Sequence, residues 1–164
     1  MKLFLMIVLM TFLAACTQAI PKESLNKVDP NLSFQMLIKD PESHRGKSIL
    51  VGGQILAVNV REGESWVEVL QKPLDWENRP KDTDESLGRF LVRFESFADP
   101  AIYTAGKMIT VVGEVLGKKV QPLREMDYAY PVLIPRDHHL WKPEDLTTSP
   151  TFHFGVGVGV GIHR

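Results

Sequence analysis

Two similar segments of the chain constrain its fold more than any other feature. GKSILVGGQI at 46–55 aligns without a gap on GKMITVVGEV at 106–115, and the two share a Gly-Lys start, an Ile, a Val and a later Gly. Branched apolar residues favour strands, and a glycine inside a strand marks a bulge or a sharp bend. We interpret the segments as two strands with similar places in one sheet, because nothing else repeats at that offset. Gly52, Gly53 and Gly113 are then candidates for the corners of a small barrel.

Further segments have the composition of strands. They are ILAVNVRE at 55–62, SWVEVLQKPL at 65–74, RFLVRF at 89–94 and YAYPVLIP at 128–135. In RFLVRF the alternation of Phe90, Val92 and Phe94 predicts one buried face. REGES at 61–65 predicts a tight hairpin, since Gly63 can adopt a positive φ without strain. We also expect a helical turn after Pro100.

The order of these segments predicts a mainly β fold. We expect a small five- to six-stranded, partly open barrel of the oligonucleotide/oligosaccharide-binding (OB) type, with a short N-terminal helix. Ser33 would cap that helix, which would carry Phe34, Leu37 and Ile38 on one face and end at Pro41. A β-sandwich is the alternative. A parallel α/β fold is disfavoured because no helix of crossover length lies between the strands.

The chain contains a single cysteine, Cys16. Before it come the positive Lys2, a short apolar run and the small residues Ala14 and Ala15, which is the order of a signal peptide. The run is too short to cross a bilayer, which requires about 20 apolar residues. Leu13-Ala14-Ala15-Cys16 also fits the bacterial lipobox, so we predict that residues 1–15 are removed and that Cys16 is lipidated. The alternative is an ordinary secretory signal with an incidental cysteine.

The residue after the cysteine predicts the destination of the protein. Asp at that position tends to retain a lipoprotein on the inner membrane, whereas this chain has Thr17. We therefore expect lipid anchoring at the periplasmic face of the outer membrane, with outer membrane lipid as the partner of acylated Cys16. Without Lys2 the chain carries 18 basic and 20 acidic side chains, so its charge does not favour nucleic acid as a partner.

Composition divides the chain into four parts. Residues 1–15 are the predicted lipoprotein signal peptide, and the polar residues 16–32 are the predicted lipidated N-terminus and tether. The β-barrel domain would cover residues 33–145. Residues 146–164 form a Gly/Val-rich tail, for which we expect a flexible terminus, or alternatively a strand that adds to a sheet edge.

The residues that could carry chemistry are few. Asp137, His138 and His139 are the first candidates for a metal site, but neighbours on a strand point to opposite faces, so a shared ion would require a loop. We expect surface histidines in a loop. Asp82, Asp84 and Glu85 resemble the start of a calcium loop, but the turn glycine and the downstream glutamate are missing, so a solvated loop is expected. We therefore predict no catalytic residue, no metal site and no cofactor.

Aromatic residues are the remaining candidates for a binding site. Five of them could line a cleft, although we expect two of the three tryptophans to pack in the core or at its rim: Trp66, Trp76, Tyr128, Tyr130 and Trp141.

Several ordered blocks of the sequence resemble the Slp family of starvation-inducible outer membrane lipoproteins. They are the lipobox at 13–16, RGKSILVGGQIL at 45–56, EVLQKPLD at 68–75, GRFLV at 88–92, DPAIY and GKMITVVGEVLG between 99 and 117, YAYPVL at 128–133 and HLW at 139–141. The resemblance covers about residues 10–145 and leaves out the Gly/Val-rich tail.

This resemblance implies an outer membrane lipoprotein linked to starvation or stress, with a structural or binding role in the cell envelope and no established enzymatic activity. It offers no catalytic residue, so only Cys16 carries over as a functional position. An envelope protein or glycan partner would be unidentified. The alternative from another functional class is a periplasmic metal-dependent hydrolase or metal-binding protein that uses Asp137, His138 and His139.

Overall fold

The computed structural model describes residues 19–61 and 63–142 and is mainly β. The strands are β1 (Ser48–Arg61), β2 (Glu64–Gln71), β3 (Arg89–Phe94), β4 (Met108–Leu123) and β5 (Met126–Trp141). Two short helices and a 3₁₀ turn precede them: α1 (Lys22–Leu25), α2 (Phe34–Lys39) and Glu42–His44.

The five strands form a closed barrel in the order β1-β2-β3-β5-β4, and β4 pairs again with β1. Neighbouring strands are antiparallel except β3 and β5, which run parallel and are joined at Leu91–Val132 and Val92–Leu133. The prediction of a small OB-like barrel is confirmed. The ring is fully closed because the long strand β1 pairs with β4 along its first half and with β2 along its second half.

The two similar segments of the sequence are strands that lie side by side. Ile49 of β1 pairs with Gly113 of β4, and Gly53 pairs with Ile109. Gly53 is also the residue at which β1 starts to pair with β2. A Cβ atom at Gly53 would lie 1.9 Å from the backbone oxygen of Leu70, so only glycine allows the strands to approach this closely. This fits the predicted role of Gly53 as a barrel corner.

Helix α2 is the predicted N-terminal helix, and it packs on the core. Ser33 Oγ accepts a hydrogen bond from the backbone N–H of Met36 at 3.3 Å, so Ser33 caps α2 as predicted. Phe34 and Leu37 are buried, and the ring of Phe34 packs edge-to-face on Phe90 of β3 at 5.7 Å. Packing rather than helix propensity stabilises an element of this length.

Other local predictions are confirmed as well. RFLVRF forms β3, and its alternate residues Phe90, Val92 and Phe94 lie in the core. Gly63 adopts a φ of 79° in the hairpin that joins β1 to β2. The backbone N–H of Tyr103 donates to the oxygen of Asp99 at 2.9 Å, which is a single helical turn around Pro100.

The predicted tether must be corrected for residues 20–32, which pack on the barrel. Ile20 is only 1% exposed, and Leu32 is also buried. Ser24 Oγ donates to Asp137 Oδ2 of β5 at 3.0 Å, and the backbone N–H of Asp29 donates to the oxygen of Ser48 at 2.9 Å. The polar composition of this segment concealed a few apolar side chains that bind it to the domain.

Strand β5 is longer than predicted and continues to Trp141. Asp137, His138 and His139 therefore lie in a strand paired with β4, and the expectation of a surface loop is wrong. The predictions for residues 1–18 and for the tail at 146–164 lie outside the described residues.

Candidate binding face

An aromatic cluster covers the outside of the barrel on one side, and we call it the aromatic face. Three of its side chains are buried and three are partly buried. The members are Leu91, Tyr130, Val132, Trp66, Leu116 and Tyr128. They come from β2, β3, β4 and β5, which brings together residues that are far apart in sequence.

The aromatic face is buried because the end of the β4–β5 hairpin leans across it. We call residues 116–132 of this hairpin the arm. Leu91 points away from the interior, since it alternates with the core residues Phe90 and Val92, yet it is only 5% exposed. Tyr130 of the arm reaches Glu68 of β2, and β3 lies between their two strands. The arm therefore crosses the outer surface of β3.

A polar network holds the arm on this surface. Glu68 Oε1 accepts hydrogen bonds from Arg89 Nη1 at 2.8 Å and from Tyr130 Oη at 3.2 Å. Tyr128 Oη accepts a hydrogen bond from the backbone N–H of Arg89 at 3.0 Å. The hydrogen bond to Glu68 raises the pKa of Arg89 above its ordinary value, while burial and then the Glu68 charge raise the pKa of Tyr130. Both shifts favour a charged guanidinium at Arg89 and a neutral phenol at Tyr130 at neutral pH.

A cation–π contact holds the β4 strand of the arm, where Lys119 pairs with Tyr130. Lys119 Nζ lies 3.6 Å from the centre of the Trp66 ring, and Trp66 Nε1 donates to Glu64 Oε1 at 2.7 Å. Burial, followed by the positive charge of Arg61, lowers the pKa of Lys119, and Glu64 opposes that shift. A partly desolvated cation–π pair of this kind contributes about 1–2 kcal/mol.

Two shallow clefts remain open at the edges of the aromatic face. One, of about 630 Å³, lies at the tip of the arm between Arg89 and the turn residues 123–126. The other, of about 490 Å³, is lined by Gln71, Pro73 and residues 85–87. The centre of the face is filled by the protein's own side chains, so these clefts are candidate places for a small ligand.

The structure brings together only three of the five aromatic residues selected from the sequence. Trp66, Tyr128 and Tyr130 lie in the aromatic face. Trp141 is buried elsewhere, where its Nε1 donates to Thr110 Oγ1, whereas Trp76 is 88% exposed on a loop.

The charged residues of the aromatic face were not found from the sequence. Glu68, Arg89 and Lys119 come from three different strands, and their meeting depends on how far the arm bends. The one signal in the sequence was Leu91, an apolar residue at an outward position of RFLVRF, which indicates that something covers it.

The candidate metal residues point in different directions. His138 Nε2 lies 2.7 Å from Tyr103 Oη, and the His138 ring packs on Phe94 in the core. His139 packs on Trp141 instead. Burial lowers the pKa of His138; Asp137 opposes this shift and His139 adds to it. In residues 19–61 and 63–142, no group of three His, Cys, Asp or Glu residues could hold a metal ion.

Within the same part of the chain, no helix is long and apolar enough to span a bilayer.

The fold and the aromatic face define a class: a small, closed, OB-like barrel whose outer face is sealed by its own β4–β5 arm. The chain belongs to the Slp family of outer membrane lipoproteins, because the model of that family matches residues 13–156. The predicted resemblance is thereby confirmed, and the match continues past residue 145 into the tail. Membership implies a place in the cell envelope.

Two relatives are similar over about two thirds of this chain. An uncharacterized lipoprotein, YeaY of Escherichia coli K12, is 26% identical over 112 residues, which are 68% of this chain and 58% of the relative. An uncharacterized protein of Haemophilus influenzae is 29% identical over 106 residues, 64% of this chain and 57% of that protein. The chain thus spans less than three fifths of the length of each.

One solved structure aligns with part of the chain. The mitochondrial single-stranded DNA-binding protein Rim1 of S. cerevisiae aligns with 58% of this chain and 95% of its own, with a TM-score of 0.33 and 12% identity. A likeness of this size carries no conclusion about function.

Proposed function

We propose that the protein is a lipid-anchored, non-enzymatic lipoprotein on the periplasmic face of the outer membrane, with a structural or binding role under starvation or stress. The observation that carries the proposal is the family match, which begins at residue 13, the first residue of the lipobox Leu13-Ala14-Ala15-Cys16. Two or three acyl chains on Cys16 would anchor the chain stably, since each buried methylene contributes about 0.8 kcal/mol.

The geometry of the barrel supports a structural or binding role. The aromatic face is occupied by the arm, and the most strongly polar group on it, Glu68, is already bonded to Arg89 and Tyr130. The open clefts at its edges, beside the arm tip and beside Pro73, are the places where an envelope partner could bind.

The experiment that tests the anchor compares wild type with two variants in cells labelled with palmitate. We expect label and protein in the outer membrane fraction for wild type, and neither label nor membrane association for Cys16→Ser. Thr17→Asp is the matched variant, because it should keep the label and move the protein to the inner membrane fraction. A wild-type protein that carries no label contradicts the proposal.

The proposed link to stress needs a separate measurement. We expect the amount of protein to rise when growing cells enter starvation, as measured by quantitative immunoblotting of the membrane fraction against an unrelated lipoprotein. A constant amount through exponential growth and starvation contradicts this part of the proposal.

A further inference from the structure

The chain between the predicted lipid anchor and the barrel is very short. Ile20 is 1% exposed, and Ser24 Oγ is bonded to Asp137 of β5, so the segment is bound to the barrel from residue 20 onward. Four residue steps separate Cys16 from Ile20, and they span at most about 14 Å when fully extended. The interfacial layer of one leaflet is itself about 5–7 Å thick. A domain of about 120 residues has a radius of gyration of about 14 Å, so the barrel must rest on the headgroups.

The contacts of the bound segment identify the end of the barrel that would meet the membrane. Asp137, the partner of Ser24, is followed by His138, whose ring contacts Tyr103 in the loop between β3 and β4. Trp141 at the end of β5 lies against Arg79 of the loop between β2 and β3. The segment, the β3–β4 loop and residues 78–79 of the β2–β3 loop therefore lie near the place where β5 finishes and β4 begins.

These two loops present four large apolar side chains to solvent. One of them, Leu87, is 53% exposed and lies beside the arm, two residues before Arg89, whose backbone N–H donates to Tyr128. The other three lie farther from the arm. Trp76 is 88% exposed, Phe97 is 68% exposed and Ile102 is 52% exposed. Trp side chains are enriched at membrane interfaces, where the ring is partly buried and the N–H stays hydrated.

Hydrogen bonds hold both loops in place. Asp75 Oδ1 accepts from the backbone N–H groups of Glu77 and Arg79, which forms the turn that exposes Trp76. The backbone N–H of Ala98 donates to the buried Ser65 Oγ at 2.9 Å, and Asp99 Oδ1 accepts from Ala101. The apolar side chains are therefore presented by ordered backbone.

The other end of the barrel is too far from the anchor to compete. Met126 is 63% exposed at the tip of the arm, but it lies 11 residues from Asp137 along β5. At about 3.3 Å per residue this is roughly 36 Å, more than twice the reach of the segment from Cys16. Both ends of the barrel expose apolar side chains, but only the end near Asp137 lies within reach of the segment from Cys16.

We propose that Trp76, Phe97 and Ile102 form a membrane-seating surface that enters the lipid headgroup region beside acylated Cys16. This inference rests on the proposed lipid anchor. The membrane-seating surface binds the phospholipid layer in which the acyl chains of Cys16 are embedded.

The test uses the acylated full-length mature protein in phosphatidylethanolamine/phosphatidylglycerol vesicles that contain a brominated lipid, which quenches nearby tryptophans. We expect wild-type fluorescence to be quenched, Trp76→Phe to abolish the quenching and Trp66→Phe to retain it. Trp66 is the matched control because it lies in the aromatic face, beneath Lys119 of the arm. Folding is checked by circular dichroism of each variant.

A second variant tests whether the short segment between Cys16 and Ile20 holds Trp76 against the lipid. Ten Gly/Ser residues inserted between Gln18 and Ala19 should leave the protein bound to vesicles and reduce the quenching of Trp76 at least twofold. Bound, acylated wild type whose fluorescence brominated lipid does not change overturns this inference alone. A protein without acyl chains, shown by intact mass, overturns the lipid anchor and this inference together. If Trp76 becomes buried by self-association of the protein in the absence of lipid, the surface binds a second copy of the chain. That result would also overturn this inference.

Discussion

Gly53 shows how a single residue determines the path of a strand. β1 leaves β4 and joins β2 at this position, and the backbone of Leu70 lies where a side chain would begin. Gly46 also lacks a side chain, with a φ of 78°, but nothing lies within 4 Å of its missing Cβ.

We expect Gly53→Ala to destabilise the barrel by about 3 kcal/mol or more, since the backbone of β2 would have to move. Gly46→Ala, the matched control, should cost about 1–2 kcal/mol through backbone strain alone. The measurement is the free energy of unfolding in urea of the Cys16→Ser protein without residues 1–15. Equal costs at both positions would contradict the close approach at Gly53.

His138 provides a pH-dependent contribution to stability. Its ring lies between Phe94 and Tyr103, and burial lowers its pKa below the ordinary value of 6.5. Because the unfolded chain binds the proton more readily, the stabilising contribution is complete above about pH 6.5 and is lost as the pH falls toward the lower pKa of the folded state.

We therefore expect wild type to lose more unfolding free energy between pH 7 and pH 5 than His138→Gln does. His139→Gln is the matched control, because it also removes a histidine from β5, but one that packs on Trp141 instead of Phe94 and Tyr103. The measurement is urea unfolding at both pH values, followed by circular dichroism. An identical loss in wild type and His138→Gln would show that the buried imidazole does not carry this dependence.

At the scale of the element, the arm is the feature that distinguishes this barrel. A hairpin of two strands is marginally stable by itself, so the arm needs the surface of β2 and β3 beneath it. Tyr130 is one of the arm residues that make this contact, since it is 3% exposed, packs in the aromatic face and donates to Glu68.

Replacing Tyr130 separates packing from hydrogen bonding. We expect Tyr130→Ala to cost about 3–5 kcal/mol and to release the arm, and Tyr130→Phe to cost about 1 kcal/mol. Val120→Ala is the control on the same arm, because Val120 is 55% exposed and should cost less than about 0.5 kcal/mol. Urea unfolding gives the energies, and hydrogen exchange of residues 116–132 reports the release. An arm that stays protected in Tyr130→Ala would contradict this account.

At the scale of the whole molecule, charge and topology together determine what the outer face can accept. Arg89 is paired with Glu68, and Arg93 lies 3.3 Å from Glu95. The formal net charge of the chain is −1. Binding of single-stranded nucleic acid requires a positive groove and exposed rings on which bases stack, and on the aromatic face the rings of Trp66, Tyr128 and Tyr130 are packed against one another.

We therefore expect no saturable binding of a 20-residue thymidylate oligonucleotide at physiological salt, measured by fluorescence anisotropy with the Cys16→Ser protein. A dissociation constant below about 1 μM that weakens with added salt would overturn this expectation.

Local patterns in the sequence were sufficient for most of the fold. The similar segments beginning at Gly46 and Gly106, the alternation in RFLVRF at 89–94 and the glycine turn at Gly63 each depend on residues close together in the chain. Strand formation, a tight turn and a helix cap are determined at that range, because they depend on backbone conformation and on the period of apolar residues. The family resemblance was available for the same reason, since its blocks are contiguous.

Only the tertiary structure decided which surfaces are covered. The outward position of Leu91 indicates that something covers it, but nothing local identifies the arm as the cover. Nothing local to Ile20 indicates that a polar segment is bound to the barrel. These outcomes depend on contacts between distant elements, whose geometry follows from barrel closure and the lengths of β4 and β5. The sequence by itself determined the strands, the turns and the predicted lipid anchor. The structure decided which face is sealed and that the segment from Ile20 to Leu32 is bound to the barrel, because burial is a property of the whole packed chain.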